Sequence, residues 1–291
     1  MQKAEFTIDA PRPRRWRGGI AAALAAVIAA APIVTKEAAA EIPTDQRAKL
    51  ERVVAGKHRD PANAARDRYR HPVETLDFFN LRDDMTVVEI QPGSAGWWTE
   101  ILAPFLKDRG LYYAAHPLEG ESKAARATRE TFERKLAAHP DLYGKVKIAP
   151  FSFKGAEIAP AGSVDMVLTF RNLHNWVERG LAVEVMQMFR KALKPGGILA
   201  IKDHRARTDK PQDPYASDGY VREDYTIELA EKAGFVLLGR SEVNANPKDT
   251  KDWKAGVWTL PPSFRLKDED RAKYQSIGES DRFTLTFVKP R

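Results

Sequence analysis

The sequence predicts an α/β fold, a mostly parallel β-sheet covered by helices on both faces. Two observations predict it. Between residues 73 and 291, short apolar, β-branched runs alternate with helical segments, and Gly, Pro or Asp marks most of the boundaries between them. Strands separated by helix-length connections must run parallel, and a parallel sheet needs cover on both sides.

Each element has a local reason. Pro72 opens a helix, because a missing N–H costs nothing in the first turn. Val73, Leu76, Phe79 and Leu81 are its expected buried face. Residues 86–90 (Thr-Val-Val-Glu-Ile), bounded by Asp83-Asp84 and Pro92-Gly93, read as a buried strand. Residues 98–106 supply a helix, 111–115 a second strand and 123–138 a long amphipathic helix. Strands are expected at 146–149 and 164–170, followed by a helix at 181–193. Lys194-Pro195-Gly196-Gly197 is a turn into a fifth strand at 198–202. A helix at 225–233 ends at Gly234, and strands at 235–243 and 283–288 complete the set.

Two segments stand outside the alternation. Residues 41–72 are charged and only weakly apolar, an N-terminal helical arm ahead of the 73–291 domain. Residues 244–281 are polar and aromatic, with Trp253, Trp258, Pro261-Pro262 and Tyr274. A connection of that length is usually functional or has structure of its own. It is expected to lie over the ligand edge of the sheet as a hairpin-like insertion or cap.

Charge narrows the class of partner. The 291 residues hold 47 Lys/Arg and 40 Asp/Glu, a net +7, but residues 1–40 alone carry six basic and three acidic groups. The remaining excess is mild and forms no basic block, which speaks against a nucleic-acid partner and for a small-molecule substrate. Cysteine is absent, which removes disulfides, thiolate metal sites and a Cys nucleophile.

The N-terminus reads as a secretory signal. Arg12, Arg14, Arg15 and Arg17 precede an apolar run at 20–34, and Ala38-Ala39-Ala40 supplies the small residues of a cleavage site. The run is shorter than the about 20 residues a membrane span requires. Cleavage is expected between Ala40 and Glu41, with an uncleaved anchor as the competing reading. Arg14-Arg15 also permits a twin-arginine route. The expected location is the periplasm or beyond, free of the membrane after cleavage.

The strongest chemical constellation is Val87-Val88-Glu89-Ile90-Gln91-Pro92-Gly93-Ser94-Ala95-Gly96, leading into Trp97-Trp98-Thr99-Glu100. A strand ends in an acid, small residues let backbone approach a ligand, and a helix N-terminus follows. This arrangement resembles the first motif of class I S-adenosylmethionine-dependent methyltransferases. Leu193-Lys194-Pro195-Gly196-Gly197-Ile198-Leu199 resembles that superfamily's segment before strand five, and Ala233-Gly234-Phe235 its lead into strand six. Gly278-Glu279-Ser280-Asp281-Arg282-Phe283 resembles the approach to an antiparallel last strand. Segments such as Arg70-His71-Pro72-Val73 and Trp98-Thr99-Glu100-Ile101 also resemble exported bacterial proteins regarded as methyltransferases.

The resemblance covers about residues 73–291. It implies a Rossmann-like, doubly wound, mostly parallel seven-stranded sheet with an antiparallel last strand, and S-adenosylmethionine as cofactor. It places Glu89, Gly93, Ser94 and Gly96 along the cofactor's methionine and ribose side, with His116, Glu119, Ser152 and Arg171 as further cofactor-binding positions. There are departures. Gln91 and Ala95 stand where glycines are usual, and His116 stands where an acid binds the ribose. Phe151-Ser152-Phe153 occupies the adenine-reading region, where the rings serve either as a stacking surface or as core.

Open α/β sheets place ligands at the carboxyl ends of their strands. The catalytic candidates are therefore His174 as a general base, Asp203 and His204 directly after strand five, and Asn172, with Asn175, as an amide that orients a substrate. Glu279 and Asp281 are placed to approach from the insertion. Three histidines and Asp203 share that edge, but no His-x-x-x-His spacing exists and no metal is assigned. Two functions follow: a methyltransferase, or an exported protein of that fold that binds or converts another small ligand.

Overall fold

A computed structural model of the chain describes residues 42–117 and 122–291. The expected signal segment and Glu119 lie outside the described residues. The core is a seven-stranded sheet in the order β3-β2-β1-β4-β5-β7-β6. Its strands are β1 Thr86–Ile90, β2 Leu111–Pro117, β3 Lys147–Phe151, β4 Val164–Phe170, β5 Leu193–His204, β6 Val236–Ser241 and β7 Arg282–Val288. β1 to β5 pair in parallel, while β7 runs antiparallel between β5 and β6.

Helices cover both faces. On one lie α1 (Thr44–Val54), α4 (Pro72–Phe78), α5 (Thr99–Leu106), α6 (Lys123–Ala138) and α7 (Pro140–Tyr143), which share a core with Val87, Met166 and Ala200. On the other lie α8 (Leu173–Glu178), α9 (Ala182–Ala192) and α10 (Glu223–Lys232), packed on Val88, Val167, Leu199 and Leu285. Alternate residues of each strand thus feed opposite cores, as the two-residue strand period requires.

The predicted elements recur with modest shifts. Leu76, Phe79 and Leu81 are buried as the sequence implied. Ser122 caps α6, its hydroxyl accepting from the Ala125 N–H at 3.0 Å. The expected turn at 194–197 is instead drawn into β5, because the Gly196 N–H donates to the Lys289 carbonyl and the Lys289 N–H to the Gly197 carbonyl.

The arm is not a free appendage. It contains α1 and two single-turn helices, α2 (Pro61–Ala64) and α3 (Asp67–Arg70). Leu50 is fully buried on α5, and the Trp97 indole N–H donates to the Asn63 carbonyl at 2.8 Å. Residues 244–281 fold over the strand ends as a 3₁₀ turn (Gly256–Thr259) and α11 (Arg271–Ile277), with no strand of their own. The expected cap is present, built from helical turns where a hairpin was expected.

Candidate active site

β1 pairs with β2 on one side and β4 on the other, so the chain's winding reverses between β1 and β4, the crevice where such sheets bind ligands. The loop leaving β1 is unusual in backbone. Gln91, Gly93 and Gly96 all take left-handed conformations, at φ +50°, +72° and +55°. Gln91 therefore adopts the geometry of the glycine it replaces, at the steric cost any Cβ carries there. A Cβ built on Gly93 meets nothing within 4 Å, whereas one on Gly96 falls 2.9 Å from the Phe132 ring. Gly93 faces open space, and Gly96 lets α6 pack closely. Ser94 is exposed beside them.

Glu89 sits below this loop, 2% exposed. The Tyr112 hydroxyl donates to its Oε2 at 2.5 Å, and Thr99 Oγ1 lies 3.5 Å away. Burial pushes the Glu89 carboxyl up to about 7, against the opposing pull of these donors and of Arg70.

The predicted catalytic residues converge on Asp203. One of its oxygens, Oδ2, accepts from the Leu173 N–H at 2.7 Å and the His174 N–H at 3.4 Å, and so caps α8 from a neighbouring strand. The other, Oδ1, accepts from the His204 N–H at 2.7 Å and lies 3.1 Å from His174 Nδ1. With donors converging on this carboxylate, the His174 proton sits on Nδ1 and Nε2 is left as an acceptor. The His204 ring lies 5.5 Å from that of His174, its Nδ1 2.5 Å from the Ser280 hydroxyl. Burial and the nearby Arg282 push the His204 imidazolium down, so His204 is neutral.

Asn172 plays a different part from the one expected. Its amide N–H groups donate to the Ile90 carbonyl at 2.8 Å and to Thr169 Oγ1 at 3.2 Å, tying β1 to β4. Only its carbonyl oxygen remains for a ligand. Asn175 is the third residue of α8, its N–H bonded to the Asn172 carbonyl.

The adenosine-side positions divide. His116, next to last in β2, is 1% exposed and 4.4 Å from the Phe132 ring, and neither ring nitrogen has a partner among the described residues. Burial, with Arg129 adding to it, pushes its imidazolium down to about 4. Phe151 is core, packed against Trp176 and Phe153. Ser152 is buried, and its hydroxyl accepts from the Lys154 N–H at 3.2 Å to close a local turn.

Apart from Arg171, sequence reasoning missed a group of cations at the same edge. Arg66 and Arg70 from the arm and Arg282 from β7 surround Glu279, with contacts of 2.6, 3.2 and 2.5 Å. Lys202 of β5 lies 4.6 Å from the centre of the Trp98 ring, and burial pushes its ammonium down. Arg171, at φ +62° just after β4, is lowered to about 10 by burial, with Arg282 adding to the effect. The arm's weak apolar pattern concealed these residues. The one signal was the Arg70-His71-Pro72 break, a polar triplet at the mouth of a buried helix. Glu279 faces these arginines, while Asp281 pairs with Arg205 and Lys251 away from them.

Among the described residues His174, Asp203 and His204 form a compact group whose ligand-type atoms lie within 4.8 Å of one another. His116 is not part of it. Both Asp203 oxygens already take donors, and the surrounding guanidinium groups oppose a cation.

The cap completes the site. Trp258 lies edge-on to His174, ring centres 6.1 Å apart, and Tyr220 approaches His204 at 6.2 Å. Asp249 holds this layer by accepting from Tyr220, Trp253 and the Asp281 N–H.

Solved structures share this architecture. An S-adenosylmethionine-dependent methyltransferase from Aquifex aeolicus superposes with a TM-score of 0.53 at 17% identity, over 84% of this chain and 98% of that one. The [4+2]-cyclase SpnF superposes with a TM-score of 0.52 at 16% identity, over 84% of this chain and 93% of its own. No family model matches the chain, and no curated protein matches it by sequence. The fold is that of the class I S-adenosylmethionine-dependent methyltransferases.

Proposed function

We propose that this protein is an S-adenosylmethionine-dependent methyltransferase acting on a small-molecule acceptor, with His174 as the base that receives the acceptor's proton. One observation carries the reading. The open glycine loop after β1 and the Asp203–His174 pair, Asp203 next to last in β5 and His174 just after β4, stand at the ends of neighbouring strands, on the two sides of one switch point.

The residues fit the cofactor's shape. Gly93 leaves space for close backbone approach, and His116 brings two unpartnered ring nitrogens, a donor and an acceptor suited to hydroxyl groups. Glu89, Gly93, Ser94 and Gly96 would hold the methionine and ribose side, with His116 and Ser152 further out. When bound, the cofactor supplies a methyl group already activated on a sulfonium. The protein's own share is alignment of the acceptor and, for an oxygen or neutral nitrogen acceptor, removal of its proton. Asp203 fixes the imidazole so that Nε2 is left as the acceptor for that task. Trp258 and Tyr220 shield the histidines from water.

Calorimetry with S-adenosylmethionine and S-adenosylhomocysteine tests the reading. Binding of both is expected, and absence of binding by freshly purified protein overturns it.

A second reading is favoured by His116, which stands in place of the usual acid, and by the likeness to a cyclase of the same fold. In it the crevice serves a different small ligand. Mass spectrometry of ligand released from purified protein separates the two: an adenosyl sulfur compound supports the first, another metabolite the second.

A further inference from the structure

The cationic group at the strand ends has more charge than its partners neutralise. Arg66, Arg70, Arg171 and Arg282 carry guanidinium groups that stay charged in proteins, and three carboxyl groups lie in their field: Glu279, Asp203 and Glu89, the last held protonated by burial up to about pH 7. Asp203 is occupied by backbone N–H groups and His174. Glu279 alone is left to the four arginines, and they hold its carboxyl well below the usual range.

The hydrogen-bond inventory agrees. Arg70 is 3% exposed and Arg282 1%, yet among the described residues Arg70 Nη2 and Arg282 Nε have no acceptor, nor does Arg66 Nη2. Arg171 makes no side-chain hydrogen bond among the described residues. Buried N–H groups of charged side chains are rarely left unpaired, since each loses its hydration without replacement. A guanidinium is also the group best shaped to take two oxygens of one anion.

We propose that Arg171, Arg70 and Arg282 form a binding site for an oxyanion, a carboxylate or phosphate carried by the acceptor molecule, next to His204 and His174. The inference rests on the methyltransferase reading for the word acceptor, and on the arginines alone for the anion. Arg171, expected from the sequence among the cofactor residues, belongs by charge with Arg282 and Arg66. Arg171 directly follows β4, and His204 and Arg282 lie in β5 and β7, all on the far side of the switch point from β2 and β3. At about 4.8 Å per strand, β7 stands about 14 Å from the glycine loop's strand, within the span of a second small molecule beside a first.

The test uses the full chain with inorganic phosphate and acetate as probes. Binding is followed by calorimetry and thermal shift against chloride at equal ionic strength, with and without saturating S-adenosylhomocysteine. The expected result is that phosphate or acetate binds and raises the melting temperature where chloride does not, equally in both conditions. The Arg171→Gln variant should bind at least tenfold more weakly. The Arg171 side chain is part-exposed and hydrogen-bonded to no neighbour among the described residues, while its backbone N–H donates to the Lys202 carbonyl in either variant, so the variant should fold. Arg171→Lys, which keeps the charge but loses the fork, should fall between.

If neither probe binds, or R171Q binds as the wild type does, the proposal fails. Competition between the probes and S-adenosylhomocysteine would assign the arginines to the cofactor and also overturn it. Probe binding by protein that does not bind S-adenosylhomocysteine keeps the anion site and removes the methyltransferase reading, so the two failures are distinguishable.

Discussion

The Nδ1 atom of His174 lies 3.1 Å from Oδ1 of Asp203, while the other carboxylate oxygen caps the helix that carries His174. One side chain thus fixes both the backbone and the ring of the candidate base. Asp203→Asn keeps the shape but turns an acceptor into a donor. Whichever way the new amide faces, its NH₂ meets N–H groups that Asp203 now accepts from. We expect a loss of about 1–3 kcal/mol in chemical denaturation, the usual cost of a buried group left unsatisfied. The NH₂ opposes one backbone N–H when it faces His204 and His174 Nδ1, against two when it faces the start of α8, so the first orientation is expected. In ¹⁵N-resolved spectra of the imidazole, the His174 proton should then move from Nδ1 to Nε2. An unchanged tautomer would contradict the role given to Asp203.

Glu89 makes the protein's stability depend on pH in the less common direction. Its carboxyl titrates near 7 in the folded chain against 4.5 in the absence of burial. The folded state holds a proton that the unfolded state has released, so the group's contribution is complete below about 4.5 and is lost as pH rises through 7. The difference corresponds to a loss on the order of 3 kcal/mol. Glu89→Gln should remove this slope and be more stable than wild type at pH 8. Tyr112→Phe should act the other way, costing more at pH 8 than at pH 5, because the Tyr112 hydroxyl favours the charged carboxylate. Denaturation midpoints at both pH values check the pair; parallel profiles for all three proteins would remove Glu89 from this account.

Much of the fold was readable in the sequence, because each strand of the parallel sheet is a short apolar run closed by a turn residue. The count of seven strands and the antiparallel β7 followed from resemblance. At the site, His174 and Asp203 were legible because each falls at the end of a strand, where position alone implies the ligand edge. The arginines other than Arg171 were not. Arg66 and Arg70 lie in a polar arm some 200 residues from Glu279, and nothing local distinguishes a guanidinium aimed inward from one on a solvated helix. Asn172 misled for a related reason: a strand-end amide can face a ligand or tie two strands, and only the Ile90 carbonyl decides which.

The N-terminal reading makes its own prediction. Protein recovered from outside the cytoplasm should begin at Glu41 by intact mass, with the four arginines of residues 12–17 removed. Recovery of the chain with Met1 intact would show that no cleavage occurs.

Gly93 and Gly96 separate ligand binding from stability. Both have positive φ, so alanine at either carries a backbone cost of about 1 kcal/mol. At Gly96 the added methyl also falls 2.9 Å from the Phe132 ring and 3.1 Å from Thr99 Oγ1, and Phe132 is fully buried. Gly96→Ala must therefore displace α6 or strain its packing, an overpacking cost of typically about 1–3 kcal/mol more. At Gly93 the methyl meets no protein atom, so Gly93→Ala should lose only the backbone share. Its effect should appear where the open space is filled, as S-adenosylhomocysteine affinity falling about tenfold or more, the equivalent of about 1.4 kcal/mol. Thermal denaturation and calorimetry on the two variants check the contrast. If Gly93→Ala binds like the wild type, the space above this loop is not where the cofactor lies, and the site must be sought elsewhere along the strand ends.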